Sequence, residues 1–341
     1  MKIWKKLSVL GLACLMALST GLLVGCDQKD YNTIELNEVT HSIFYAPLYV
    51  AINNGYFEDE GLTVNLTNGG GSDTSMSALL TGSADIILAG PETATYTDQQ
   101  GVENKPVVFG QLTQCDGSFI VSKEEDADFT LADMVGETII GGRAGGLPAM
   151  TLQYIIESNG YTIGEGADEI NLRTDVAFNL TASVWENDAS VKYCTLFEPT
   201  ATNVVNSISG SQIVASLGEL SGSIPYTCFI ARENYVSEHS DVVEKFLTAV
   251  KRAYNYIVTN NSYAVAQALL PSFDGNTVEE LQVAVEQYIA INAWSETMIM
   301  SSESFDNLMN VMLNAGVITE KSVFSNVVDN TYVENLNQEV A

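Results

Sequence analysis

Basic side chains are scarce in this chain. Its 341 residues carry 14 Lys and Arg against 43 Asp and Glu, a formal charge of -29. A surface of that sign repels a phosphate backbone, which excludes nucleic acid as a partner and argues against adhesion to anionic lipid through the protein surface itself. Histidine is nearly absent too, with His41 and His239 the whole supply. The five cysteines, Cys14, Cys26, Cys115, Cys194 and Cys228, form no CxxC pair. No zinc or other metal site, and no cofactor, is therefore expected. No lysine or arginine lies between Asp30 and Asn104, so the glycine run Gly69–Ser72 is not a GxxxxGK phosphate loop, and it lacks the last glycine of a dinucleotide fingerprint. No Ser-His-Asp or paired-carboxylate pattern stands out, and no catalytic residue is assigned.

What is present begins at the N-terminus. Lys2, Lys5 and Lys6 precede the apolar stretch LSVLGLACLMALSTGLLVG, and Cys26 follows at once. That is the layout of a secretory signal; a spanning helix would need a longer uninterrupted stretch. Leu23-Val24-Gly25-Cys26 resembles a bacterial lipobox, in which the cysteine receives diacylglycerol and becomes the first mature residue; the alternative is an ordinary signal peptide with a coincidental cysteine. Residues 1–25 then form a lipoprotein signal peptide and residues 26–32 a lipid-anchored tether. Removal of the signal leaves 11 bases against 43 acids, a charge of -32. No second apolar run of spanning length follows, so the expected location is the extracytoplasmic face of the cell membrane, reached through fatty acylation at Cys26. Of the three remaining cysteines at least one is unpaired, and buried free thiols are expected.

Beyond the tether the pattern is α/β. TIELNEV, GLTVNLTN, ADIILAG and PVVFGQLT read as strands. Between them lie the short helices APLYVAINNG, TSMSALLTG (capped by Ser72 or Asp73) and PETATYTDQQG, opened by Pro91. The alternation restarts near Gly117 with FIVSKEE, continues through LADMVG (capped by Thr130 and Asp133), ETIIGG, PAMTLQYIIESNG, EINLRT, KYCTLF and IVASLG, and closes on SIPYTCFIAREN. After about Asp241 the chain is almost wholly helical, with Val242, Val243, Phe246, Leu247, Val250 and Tyr254 on one face of the first helix. The expected fold is α/β and bilobed: two parallel-rich sheets flanked by helices, with a helical C-terminal segment. Residues 33–117 and 228–341 make lobe 1, and residues 118–227 make lobe 2. The hinge is placed at Gly117–Ile120 and Ile224–Thr227.

The stretches HSIFYAPLYVAINNGYFEDEGLTVNL and GGGSDTSMSALLTGSADIILAGPE, with LADMVGETIIGG, FEPTA, IPYTCFIAREN and VVDNTYVENL, resemble the substrate-binding proteins of the nitrate/sulfonate/taurine and thiamine-precursor class that serve ABC importers. The resemblance spans about residues 33–335. It implies a type II periplasmic-binding-protein fold, a ligand held between two lobes, delivery to permease and ATPase subunits, and a monomer. Some thiamine-precursor relatives are pyrimidine synthases with a cysteine-rich metal motif; this chain has no such cluster and is expected not to be an enzyme.

In that frame GGGS, AGPE, FYAP and GGRAGG become four lips of one cleft. One of Phe44 and Tyr45 stacks on a flat ligand, the other being core. Gly71 and Ser72 offer backbone N–H groups. Asp73 either accepts from a ligand or caps a helix. Glu92 either binds ligand or compensates a helix dipole. Arg143 forks onto an anion or pairs across the lobes. Glu198 stands where the family carries pocket residues, Gln111 and Cys115 lie near the lobe crossing, and Tyr226 supplies a ring or hydroxyl. Trp185 is assigned to packing. Asp73, Glu92, Asp116 and Glu198 against Arg143 make the cleft acid-rich, which favours a small polar or aromatic nitrogen-containing ligand. The alternatives are a sulfonate- or nitrate-type anion, or a ligand sensor in place of an importer.

Overall fold

Two five-stranded sheets organise residues 32–339, the part of the chain that the computed structural model describes. The signal peptide and Cys26, with the lipid anchor assigned to it, lie outside these residues. In chain order the strands are β1 (Thr33–Glu38), β2 (Thr63–Asn68), β3 (Ile86–Ala89), β4 (Pro106–Thr113), β5 (Ser118–Ser122), β6 (Thr138–Ile140), β7 (Asn171–Arg173), β8 (Tyr193–Phe197), β9 (Gln212–Ser216) and β10 (Thr227–Arg232). The first sheet has the order β2-β1-β3-β10-β4 and the second β7-β6-β8-β5-β9.

The two orders are the same pattern. In each sheet the first strand of the unit pairs in parallel with the next two. The fourth position is taken by a reversed strand, β10 in the first sheet and β5 in the second, antiparallel to both its neighbours. Four strands in each sheet thus run one way, and the reversed strand is the one that arrives from the other sheet. The two crossing segments run side by side: the Ile224 amide donates to the Gln114 carbonyl (3.1 Å) and the Tyr226 amide to the Thr113 carbonyl (3.2 Å).

Local chemistry explains the elements. β3 (IILA) and β8 (YCTLF) are buried along their whole length, as strands covered on both faces must be, and neither alternates in polarity. The helix Ala46–Asn53 ends where Gly55 takes a φ of 72°, a left-handed turn that glycine adopts without strain. Thr130 and Asp133 form the expected capping box, although on a single 3₁₀ turn, Leu131–Met134. The helix Ser72–Thr81 departs from expectation: it starts at Ser72, its N-cap is Gly71, and neither Ser72 nor Asp73 caps it.

The largest core lies around the first sheet and the C-terminal helices. The helix Ser240–Thr259 buries Val242, Val243, Phe246, Leu247 and Val250, while Tyr254 is only half-buried. Phe246 meets Phe229 of β10 edge-on at 4.9 Å. Two smaller clusters cover the second sheet, one of them built on Trp185, which is fully buried and donates its indole N–H to the Lys192 carbonyl (3.1 Å). Cys115, Cys194 and Cys228 are free and buried. Among the described residues no helix is long and apolar enough to cross a membrane.

Candidate binding site

The carboxyl ends of the parallel strands from both sheets point at one place, where ligands of open α/β sheets collect. The loop after β1 brings Val39, Thr40 and Tyr45; the one after β2 brings Gly71 and Ser72; the one after β3 brings Gly90 and Glu92. Across the gap stand Arg143 and Gly146–Pro148 after β6, Phe178, and Phe197 at the end of β8. Tyr226 and Thr227 close the floor from the crossing segment. All four sequence motifs, GGGS, AGPE, FYAP and GGRAGG, therefore meet at this chamber. Its volume is about 50 Å³, room for a few waters. An outer groove of about 630 Å³ shares Glu92 and Arg143 as walls.

The mouth is clasped. Arg143 lies 3.4 Å from Asp73, both well exposed. At the outer groove the Tyr96 hydroxyl donates to the Gly145 carbonyl (3.0 Å), and away from both cavities the Asn314 amide donates to Glu157 (2.8 Å). Asp73 is thus a rim residue that pairs across the lobes with Arg143, the one base lining either cavity.

Glu92 is the unusual member. It opens the helix Glu92–Gln99, is 1% exposed, and its Oε2 has no hydrogen-bond partner. Its carboxyl folds back over Gly90, where a Cβ would stand 1.9 Å from Oε2, so a side chain there would have to displace the Glu92 carboxyl. Burial pushes its pKa up to about 7; its own backbone N–H and the charge of Arg143 pull the other way. Near neutrality this carboxyl can accept a hydrogen bond as the anion or donate one as the acid. Around it the walls are aromatic: Tyr45, Phe178, Phe197 and Tyr226. Burial raises the Tyr45 and Tyr226 hydroxyls, which stay neutral.

Five expected residues line neither the chamber nor the outer groove: Phe44, Gln111, Glu198, Cys115 and Asp116, so that of the four acids expected to make the cleft acid-rich only Glu92 and Asp73 reach it. Phe44 is fully buried and does not line the chamber. Its ring packs against those of Tyr45, Phe197, Tyr226 and Tyr288 at 5.2–5.9 Å, over Gly117. The turn sends one ring to the ligand side and the other to the core, because adjacent residues of a tight turn point apart. Gln111 is buried on β4, its amide donating to the Thr113 carbonyl (3.1 Å), away from the chamber. Glu198 spends its carboxylate on its own helix, accepting from the Thr202 amide (3.0 Å) and hydroxyl (2.7 Å). It borders a separate pocket of about 220 Å³.

Cys115 and Asp116 sit in the first crossing segment, outside the chamber lining. Burial pushes the Cys115 thiol up to about 12. Asp116 accepts from the Ser118 amide (2.8 Å) and hydroxyl (2.6 Å), and burial raises its pKa to about 6 beside the Tyr226 hydroxyl. Thr40 and Phe197 were not expected in the site, although their place at strand ends is a readable signal. Phe178 opens the 3₁₀ turn Phe178–Leu180 that leads into the helix Thr181–Asn187, at helical spacing from Trp185, and that spacing alone does not mark it as a site residue.

Known proteins agree with this architecture. Residues 43–264 match the family described as NMT1/THI5 like. YtlA of Bacillus subtilis (strain 168), named as a binding protein, is 32% identical over 332 residues, covering 97% of this chain and 98% of its own. The formylaminopyrimidine-binding protein of Halalkalibacterium halodurans is 25% identical over 305 residues, 85% of this chain and 86% of its own. Among solved structures, the alkanesulfonate-binding protein SsuA from Xanthomonas axonopodis pv. citri, bound to MOPS, superposes with a TM-score of 0.69 at 12% identity, over 89% of this chain and 100% of that one. The fold is that of the bilobed solute-binding proteins, and the chain belongs to the NMT1/THI5-like family.

Proposed function

We propose that the chain is the extracytoplasmic solute-binding component of an ABC importer, tethered by lipid at Cys26 and monomeric, and that it binds without chemistry a small, flat, nitrogen-containing ligand. One observation carries the ligand class: a buried carboxyl, Glu92, with an unpartnered oxygen in a chamber walled by four aromatic rings. The chamber as it stands holds only a few waters; with the walls parted to admit it, a heterocycle with an exocyclic N–H would stack on the rings and give that oxygen its missing hydrogen bond. The formylaminopyrimidine-binding relative supports the same chemistry.

The lobes of this reading are residues 33–117 with 228–341, and residues 118–227, hinged where the two crossing segments run together. A ligand that touches both lobes only in the closed form shifts the population toward closure, and the closed form is what permease and ATPase subunits would receive. A second reading places an anion on Arg143 and the Gly71–Ser72 backbone; the one base lining the chamber favours it.

Isothermal titration of residues 27–341 with formylaminopyrimidine, MOPS and nitrate separates the two. Binding of the pyrimidine alone, lost in Glu92→Gln, supports the first reading. Binding of MOPS or nitrate alone, lost in Arg143→Ala and kept in Glu92→Gln, replaces it with the second.

A further inference from the structure

Behind the chamber, at the end of β1, lies a polar cluster that ligand contact does not use. Glu38 is 1% exposed. Its Oε1 meets His41 Nδ1 at 2.8 Å, and its Oε2 accepts a short hydrogen bond from the Tyr49 hydroxyl. His41 Nε2 lies 2.6 Å from the Ser272 carbonyl oxygen. A carbonyl only accepts, so Nε2 must carry hydrogen. With Glu38 as the carboxylate both ring nitrogens donate, which is the arrangement of a doubly protonated ring; a neutral Nε2–H tautomer would instead leave Nδ1 to accept, from the Tyr49 hydroxyl at 3.1 Å.

The segment around that ring performs two tasks. Val39 and Thr40, just before it, line the chamber. Ser42 and Ile43, just after it, join the two sheets: the Ser42 hydroxyl (2.6 Å) and the Ile43 amide (3.2 Å) both donate to the Glu198 carbonyl. His41 anchors the middle of this segment to the turn at Ser272. We propose that His41 is a positioning residue for the ligand chamber, held as an imidazolium between Glu38 and Ser272, and that ligand capture weakens once it loses its proton. The effect on capture rests on the binding-protein reading above; the charge state of the ring does not.

The surroundings support the charge. Glu38 faces the ring from its own segment, Tyr49 from the helix Ala46–Asn53 (3.1 Å to Nδ1), and the Phe273 ring from the far turn at 4.7 Å. Glu198 borders the same pocket, but its carboxylate is occupied by Thr202, and no Lys or Arg lines that pocket. His41 is raised above its ordinary value, chiefly by the bond to Glu38, with burial opposing. A raised base contributes its full stability below about pH 6.5 and loses it as pH climbs through the folded value. A neutral imidazole has one N–H for two acceptors, so one of the two anchors must break.

Two histidines make the experiment direct, since His239→Gln leaves His41 as the only imidazole. Long-range ¹H–¹⁵N spectra of the ring should show the doubly protonated form at pH 7. Amide exchange at Val39–Ile43, corrected for intrinsic rate, should lose about tenfold protection as the ring titrates, one charged hydrogen bond's worth. His41→Arg, a permanent cation, should keep that protection at every pH, and His41→Gln should lack it at every pH. The affinity for formylaminopyrimidine should follow the same order: wild type weakening relative to His41→Arg as pH rises. A neutral tautomer at pH 7, or protection independent of pH in the wild type, overturns the proposal. An affinity ratio of wild type to His41→Arg that does not move with pH overturns the link to capture. Failure of the pyrimidine to bind any variant, with the titration intact, overturns the ligand reading alone.

Discussion

Glu92 and Glu198 occupy matching places in the two sheets. Each follows the third strand of its unit, β3 or β8, each adjoins a proline, each is buried, and each stands at a helix start, Glu92 as the first residue of Glu92–Gln99 and Glu198 two residues before Thr200–Ser207. They differ in what the next helical turn offers. After Glu198, Thr202 turns both its amide and its hydroxyl onto the carboxylate. After Glu92, the Thr93 hydroxyl donates to the Gly90 carbonyl (2.7 Å) and the Thr95 hydroxyl to the Pro91 carbonyl (3.2 Å), leaving Oε2 unpartnered. The same acid at the same topological point is a helix cap in one lobe and an open hydrogen-bond acceptor in the other. Burial alone does not mark a binding residue; an unspent lone pair beside a cavity does.

The largest effect should come from breaking the open side. The Glu92 carboxyl is raised to about 7 by burial, so the folded state favours its neutral form. That preference stabilises the protein fully below about pH 4.5 and is lost as pH rises to about 7, roughly 3 kcal/mol in all. Urea denaturation of the ligand-free protein should show this decline, and Glu92→Gln should flatten it. The same variant should weaken the ligand by about thirtyfold or more, as loss of a buried charged partner does. An unchanged pH profile in Glu92→Gln would remove the distinction between the two acids.

The closed side should behave in the opposite way. Glu198→Ala takes two hydrogen bonds from the first turn of the helix Thr200–Ser207 and should cost about 2 kcal/mol of stability. Ligand affinity, measured where the variant is folded, should move less than threefold, within about 0.7 kcal/mol. A large loss of affinity with stability intact would make Glu198 a binding residue after all.

Gly117 belongs to the same structural side. The Tyr288 hydroxyl donates to the Gly117 carbonyl (3.0 Å) and accepts from the Glu198 amide (3.0 Å). Its backbone is not left-handed, but a Cβ there would stand 2.4 Å from the buried ring of Phe44. Gly117→Ala should therefore cost about 1–2 kcal/mol by overpacking. Gly117→Ala with Phe44→Leu should recover much of that. Recovery of affinity along with stability would show that the glycine supplies room; stability without affinity would show that it supplies hinge freedom.

Much of this was readable beforehand. The alternation of strand and helix, its restart at Gly117 and the return at Tyr226 follow from periodicity and from turn residues, which act locally. The four glycine- and proline-marked turns were readable as cleft lips, since strand ends and helix starts place them together. What could not be read was direction. Phe44 and Tyr45 are neighbours of similar chemistry, and only the packing of Gly117 and Tyr288 decides which one turns inward. Glu92 and Glu198 differ four residues on, where Tyr96 follows the one and Thr202 the other, and that Thr202 folds its amide and hydroxyl onto Glu198 is a matter of local geometry. Gln111 was drawn to the site by its position near the crossing, yet its amide donates to the Thr113 carbonyl of its own strand and it lines neither cavity.

The smallest effect, and the finest test of the comparison, concerns Tyr226. Its ring walls the chamber, while its buried hydroxyl lies beside Asp116; the contact falls short of a well-formed hydrogen bond to Oδ2, yet it is close enough for the hydroxyl to favour the Asp116 carboxylate. Tyr226→Phe keeps the stacking surface and removes only the hydroxyl. Affinity should hold within about threefold, under 1 kcal/mol, and stability should change by a similar amount. The hydroxyl lowers Asp116 against the burial that raises it to about 6, so its loss should raise Asp116 further. Asp116 is an acid with a raised folded value, so its contribution is complete below about pH 3.8 and is lost as pH rises through the folded value. In Tyr226→Phe that loss should extend to higher pH, a shift measurable by urea denaturation in a Glu92→Gln background that removes the overlapping titration. A tenfold fall in affinity would instead make the hydroxyl a ligand contact and move the polar edge of the site from Glu92 alone to both side chains.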